Sequence, residues 1–219
     1  MVEAARDIAL PAELLRHLRR GVDAVPSGAS QRPWQLSMLG GRLVEVVASA
    51  SSAALTVALG LLREAQEQGE TAAWVTTDEA LFFPPDAAAG GIDLERLPVV
   101  SAPRRQVPRA VDRLARSGAF GLVVVDLLPG PLHAARAPEP WPQPLSTRLL
   151  GAAHRHGVAV VFLVGQGGTT GSLVSLRVEA TRKRLGPSEF QVEVRSIKDK
   201  RRAPGWSAVE TCHGPAGLR

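Results

Sequence analysis

The sequence predicts an open, doubly wound α/β domain whose mostly parallel sheet ends in an antiparallel hairpin. Between residues 42 and 164, short runs rich in Val, Leu and Ala alternate with segments of helical period. Two of those runs, Leu122–Val125 and Val158–Val164, are apolar throughout, as strands buried on both faces are. Beyond Gly171 the pattern changes to a period of two, in Leu173–Thr181 and again in Phe190–Ile197, with Gly186-Pro187-Ser188 between them.

Taken in order, residues 10–20 read as a short helix, with Pro11 in its first turn and Leu14, Leu15 and Leu18 on one stripe. Residues 21–35 contain Pro26, Gly28 and Pro33 and read as a linker, which sets off an N-terminal region 1–35 from a core at 36–205. Arg42–Val47 is the first strand and Ala53–Gln68 the first core helix, apolar on most sides as far as Leu62. Thr71–Thr76 and Leu97–Ser101 are the second and third strands. Val107, Ala110, Val111, Leu114 and Ala115 fall at helical spacing. Residues 129–144, rich in proline, form a long loop, and Leu145, Leu149, Leu150 and Ala153 mark a further helix. Residues 206–219 are expected to be a fraying tail around a short ordered stretch at Trp206–Glu210.

Composition narrows the functional classes. The single cysteine, Cys212, leaves no disulfide framework and no C-x-x-C pair, which fits a reducing cytoplasm. Leu43–Leu62 is apolar enough to suggest a membrane span, but Glu45, the serines and the change of period read as a strand followed by a buried helix. No membrane partner is expected. Arginine richness beside abundant Ala and Gly reflects coding bias. The net charge of +5 falls within residues 177–202, which hold nine basic and four acidic side chains. That segment is expected either to be a solvated sheet edge or to face an anionic partner such as DNA. The five histidines show no metal-ligand spacing, and no G-x-S-x-G elbow is present.

Chemistry in such a fold is expected at the first strand-turn-helix, where glycines let backbone N–H groups approach phosphate, a lysine meets the transferred group and a hydroxyl holds Mg²⁺. Here the strand is followed by Ala48-Ser49-Ala50-Ser51-Ser52-Ala53-Ala54-Leu55-Thr56. This stretch resembles the phosphate-binding loop of the RecA family, as do GRLVEVV, LARSGAFGLVVVD and FLVGQ elsewhere. Against that family's S-S-G-K-T-T, the chain keeps Ser51, Ser52 and Thr56. Ala48 and Ala53 stand at glycine positions, Ala54 at the lysine and Leu55 at the metal-binding hydroxyl. The resemblance therefore implies a pseudo-ATPase with no cofactor. Asp126 matches the Mg²⁺-linked acid, Asp78 the water-activating acid (Glu79 is its neighbour) and Gln166 the γ-phosphate sensor. All three are expected to be surviving framework positions.

Lys198 and Lys200 match two lysines that in RecA reach a neighbour's nucleotide. RecA's DNA-binding loops correspond to residues 129–144, where Trp141 is expected to be a packing anchor, and to Gly165–Gly171, expected to be a tight turn. RecA's acceptor edge for a neighbouring subunit corresponds to Leu97–Pro103 and Val107–Leu114, so Val99, Val100, Val107, Val111 and Leu114 are candidate partner-binding residues. Within the RecA superfamily the chain is most similar to the ImuA group of the bacterial SOS mutagenesis cassette, being short and poor in nucleotide-site residues. That resemblance implies a non-catalytic adaptor in translesion synthesis, with an ImuB-type Y-family-like protein and RecA as partners. Two other readings stay open: a cap that limits RecA filaments, and a single-stranded DNA-binding module using residues 177–202.

Overall fold

A computed structural model of the chain describes residues 33–78, 82–129 and 141–214. Eight strands form one sheet in the order β3-β2-β4-β5-β1-β6-β7-β8. They are β1 (Leu43–Ala48), β2 (Ala72–Thr77), β3 (Val99–Ala102), β4 (Leu122–Asp126), β5 (Ala159–Val164), β6 (Leu176–Arg184), β7 (Glu189–Asp199) and β8 (Ser207–His213). The first six run parallel, β7 pairs antiparallel with β6, and β8 pairs antiparallel with β7. The fold class read from the sequence is the one observed. The segment 43–62 is β1 and the start of a helix, and among the described residues no helix is long and apolar enough to cross a membrane.

Two helical layers bury the sheet. One face carries α1 (Ala54–Glu67) and α2 (Pro84–Ala89), packed on Val44, Val46, Trp74, Val124 and Val161. The other carries α3 (Val107–Ser117) and α4 (Gln143–His156), packed on Leu43, Val75, Val123, Val160 and Phe162. Successive residues of a strand thus serve opposite cores, which is why these strands read as unbroken apolar runs. Helix α3 starts with Pro108 in its first turn and ends at Gly118, whose φ of +69° suits a glycine past a helix end.

Several boundaries differ from the sequence reading. The predicted N-terminal helix lies outside the described residues. Trp34 and Leu36 are buried in the α1 core, so the chain from residue 33 belongs to the domain and not to a linker. The end of the domain also moves. Residues 207–213 are not tail: β8 pairs with β7 along its whole length, and Cys212 is half-buried within it, where burial pushes its thiol up. Helix α2 carries no apolar stripe to announce it, and Pro84 and Pro85 at its start favour the first turn of a helix.

Strand β1 holds a charge where the core should be apolar. Glu45 is buried, and Arg177 is its direct cross-strand neighbour on β6. The two form an ion pair, and the second Glu45 oxygen accepts from Thr170 Oγ1 (2.8 Å), Thr170 N (2.5 Å) and Thr169 Oγ1 (3.0 Å). Arg177 also donates to the Gly168 carbonyl at 2.9 Å. At the other end of β1, Arg42 reaches Asp199 at 2.5 Å and Ser175 through both its side chain and its carbonyl. Burial alone would raise the Asp199 carboxyl, but the Arg201 N–H, Arg42 and the Trp206 indole N–H hold it below its ordinary value.

Removing one partner of a buried pair strands the other charge in low dielectric. Arg177→Ala should therefore cost about 3–5 kcal/mol in urea unfolding. Arg195→Ala, which breaks the exposed pair to Glu179, should leave the urea midpoint unchanged. Equal effects of the two substitutions would contradict this account of Glu45.

Candidate functional site

In a parallel sheet the ends of the strands gather along one rim, and ligands bind outside it. Here that rim brings together the end of β1 with its loop, Asp78 after β2, Asp126 at the end of β4 and Gln166 after β5. The sequence-predicted positions are therefore neighbours along the rim. Glu79 lies outside the described residues.

The loop from Ala48 to Ala53 is drawn into the sheet. Ser52 forms an isolated antiparallel bridge with Thr181, just beyond the last β1–β6 pair. The Ala53 N–H donates to the Ala180 carbonyl at 3.0 Å, and the Arg182 N–H donates to the Ser51 carbonyl at 2.8 Å. The Ala54 N–H is taken by Ser52 Oγ at 3.1 Å. Two N–H groups at the start of α1 are thus already satisfied inside the chain. No residue of this loop has a positive φ, so the backbone never makes the turn that glycine would allow. Ala53 and Ala54 are buried, whereas Leu55 is 47% exposed and Thr56 is exposed beside it. Positions 53–55 offer a phosphate group no cation and no hydroxyl.

The acids on the rim differ. Asp78 is exposed, and its N–H donates to Ala102 at 3.2 Å. Asp126 is buried and its Oδ1 accepts from Leu128 N at 3.0 Å. Burial pushes its carboxyl up to about 6, against the lowering effect of the Leu128 N–H and the Arg104 charge. Gln166 is exposed within the turn closed by Gly168 N–H to the Gly165 carbonyl at 2.9 Å, where Gly167 has φ +78°. The tight turn expected over Gly165–Gly171 is confined to Gly165–Gly168. The sequence did not disclose that Thr169 and Thr170, just after it, hydrogen-bond to Glu45. Trp141 is buried edge-on against Phe162 at 5.0 Å, a packing anchor.

The candidate partner residues separate into two sets. Val107 and Val111 are fully buried on the inner side of α3 and are core, a correction to their reading as partner-binding residues. Val99 is 42% exposed on the edge strand β3, while Val100 and Leu114 are half-buried against the core. Strand β3 pairs only with β2, through bonds at Pro98 and Ala102, so its far side is open among the described residues. Lys198 and Lys200 both turn towards the Ser172 carbonyl, at 3.5 and 2.9 Å, and hold the crossover loop to β7. Burial, with Lys200 nearby, lowers the Lys198 ammonium.

The basic segment 177–202 is largely occupied by the fold itself. Arg177 meets Glu45, Arg184 the carbonyls of its own hairpin, Arg195 Glu179, Arg201 the Gly40 carbonyl and Arg202 the Met38 sulfur, while Arg182 lies over Phe190. The neutrality of the remaining sequence conceals two opposite poles. The described residues of 54–96, around α1 and α2, hold seven acids and two arginines. The described residues of 104–156, around α3 and α4, hold seven arginines and two acids.

The RecA N-terminal domain family matches residues 13–136, more than half of the chain. The RecA protein of Fusobacterium nucleatum is 36% identical over 110 residues, covering 48% of this chain and 29% of that protein. RecA of Clostridium acetobutylicum is 39% identical over 110 residues, covering 48% and 31%. RecA of Corynebacterium urealyticum is 39% identical over 113 residues, covering 49% and 30%. The matched region is about 30% of the length of these curated relatives.

Asp126 supplies a test of this rim. Its folded-state value lies above the ordinary carboxylate value of 3.8, so ionisation destabilises the fold progressively as pH rises from about 4 to about 6. Above that range the full penalty, about 3 kcal/mol, is present. Asp126→Asn keeps the acceptor for Leu128 and removes the charge. It should raise the urea midpoint at pH 8 and leave it unchanged near pH 4. A gain independent of pH would contradict the burial account.

Proposed function

We propose that this chain, which belongs to the RecA family, works as a non-catalytic adaptor in DNA damage-induced mutagenesis, on the pattern of the ImuA group, and not as an ATPase. The observation that carries this reading is the closure of the phosphate-loop position by β6. ATP and Mg²⁺ do not fit the residues at the rim. The loop N–H of Ala53 is spent on Ala180, and Ala54 and Leu55 supply neither charge nor metal ligand. Phosphoryl transfer depends on positioning and electrostatics, and each of these features removes part of both.

What the fold retains is a docking edge. At β3 the Pro98 and Ala102 carbonyls bond to β2, so the backbone groups of Val99 and Ser101 point outward. A partner segment can add there as an extra strand, with Val99 as its apolar contact. An ImuB-type Y-family-like protein and RecA itself are the partners this reading names, with error-prone translesion synthesis as the process served.

Val99→Asp tests the edge with little cost to the core, since Val99 is the exposed position and Val100 is not. It should reduce capture of RecA or the ImuB-type protein by at least about tenfold, a loss of about 1.4 kcal/mol, while the circular dichroism spectrum stays native. Undiminished capture by the folded variant would remove β3 as the docking edge. Millimolar ATP with Mg²⁺ should leave the melting temperature of the wild-type chain unmoved; a ligand-dependent rise would return nucleotide binding to the site.

A further inference from the structure

The outer surface of α3 and α4 has a chemistry that neither strand addition at β3 nor a nucleotide site explains. Arg109, Arg113 and Arg116 lie exposed along α3, at spacings of four and three residues, so they share one face. Arg148 and Arg155 are exposed seven residues apart on α4 and share another. The two rows meet where Arg116 Nε and Arg148 Nη2 both reach Asp112 Oδ2, at 3.1 and 2.9 Å. Asp112 is buried, and it is the single acid in the sequence of these two helices. One buried carboxylate therefore pairs with two of five exposed arginines.

Coding bias does not explain the concentration, because the same bias acts on the opposite helical layer, where acids prevail. The surface also lacks the core of a protein interface. The large exposed apolar side chains among the described residues are Leu55, Phe83, Leu94, Val99, Leu185, Ile197 and Val209, and none lies on α3 or α4. Protein partners are usually anchored by apolar and aromatic residues at the centre of the contact. Sugar–phosphate backbones are met by polar, strongly positive surfaces, and guanidinium groups bind phosphate oxygens in pairs. On α3 the arginines rise about 6 Å per four residues and form a row about 10 Å long from Arg109 to Arg116.

We propose that the outer face of α3 and α4 binds the sugar–phosphate backbone of a nucleic acid, with Arg109, Arg113 and Arg155 as the phosphate contacts and with Arg116 and Arg148 held between them by Asp112. This places the nucleic-acid surface away from the basic segment 177–202, whose side chains the fold itself largely occupies. It stands whether or not β3 receives a partner strand.

The test is fluorescence anisotropy of the full chain with labelled oligothymidylate and with a labelled duplex, from about 50 to 200 mM salt. Wild-type affinity should fall steeply with salt on at least one of the two probes, and the preferred probe identifies single strand or duplex. Arg109→Glu/Arg113→Glu/Arg155→Glu should weaken binding at least about tenfold and flatten the salt slope by about two to three. Arg182→Glu/Lys183→Glu in the hairpin should leave affinity within about twofold. Should the triple variant lose its native circular dichroism, Arg109→Gln and Arg113→Gln, made singly, should each weaken binding and reduce the slope by about one. The proposal is overturned if the wild type shows no salt-dependent binding, or if the hairpin variant loses binding and the helix variants keep it. It is overturned equally if polyglutamate competes as well as unlabelled DNA, since the surface would then be one for acidic protein.

Discussion

A carboxylate on the central strand governs the arrangement around it. Glu45 sits in β1 between Leu43 and Val47, on the face covered by α3 and α4, where an unpaired charge would be severely destabilising. Its oxygens are satisfied by Arg177, which aligns β6 beside β1, and by Thr169 and Thr170, which pull the crossover loop down onto the sheet. The loop that leaves β5 thus has one well-defined path, and the strand that follows has one register. Arg42, Asp199 and Ser175 make a second tie near the start of β1. The Glu45 pair and this tie together fix the junction between the parallel half of the sheet and its antiparallel end.

That junction reaches the site. With β6 fixed beside β1, its continuation runs past the end of β1 and meets the loop at Ser52–Thr181. A loop that cradles phosphate must keep its N–H groups turned inward and unpaired. Here Ala53 carries a Cβ, lies buried, and gives its N–H to β6. The substitutions and the closure reinforce each other. Without glycine the backbone keeps ordinary negative φ values, and the Ala53 N–H bonds to the adjacent strand. The same rim leaves Asp126 with one N–H partner and a nearby arginine, too little to offset its burial.

What could be read from the sequence was local. The runs at 122–125 and 158–164 announce strands because both faces are buried, and α3 announces itself because Val107, Val111 and Ala115 repeat at helical spacing. The altered loop was legible because its positions are consecutive. What escaped was carried by contacts between distant residues. Glu45 and Thr170 are 125 residues apart, and Arg42 and Asp199 157. No local pattern marks Glu45 as buried. Strand β8 was hidden for a related reason: the glycines and prolines before it suggest a tail, while its stability comes from pairing with β7. Helical spacing also misled at Val107 and Val111. The same stripe that identifies α3 was assigned to a partner, although such a stripe normally faces the core, as it does here.

Charge illustrates the same distinction between sum and arrangement. Counted along the chain, the excess of positive charge falls in residues 177–202, and that count is correct. Folding then assigns those side chains to carbonyls, carboxylates and a ring, so much of the segment serves the sheet. The helices that appear only as part of a neutral remainder are divided between two faces of one sheet, acidic on one and basic on the other. A net charge is the integral of a distribution, and a ligand meets the local field and not the integral. A chain of modest net charge can therefore carry a strongly polarised surface, and in this one a positive pole lies over α3 and α4.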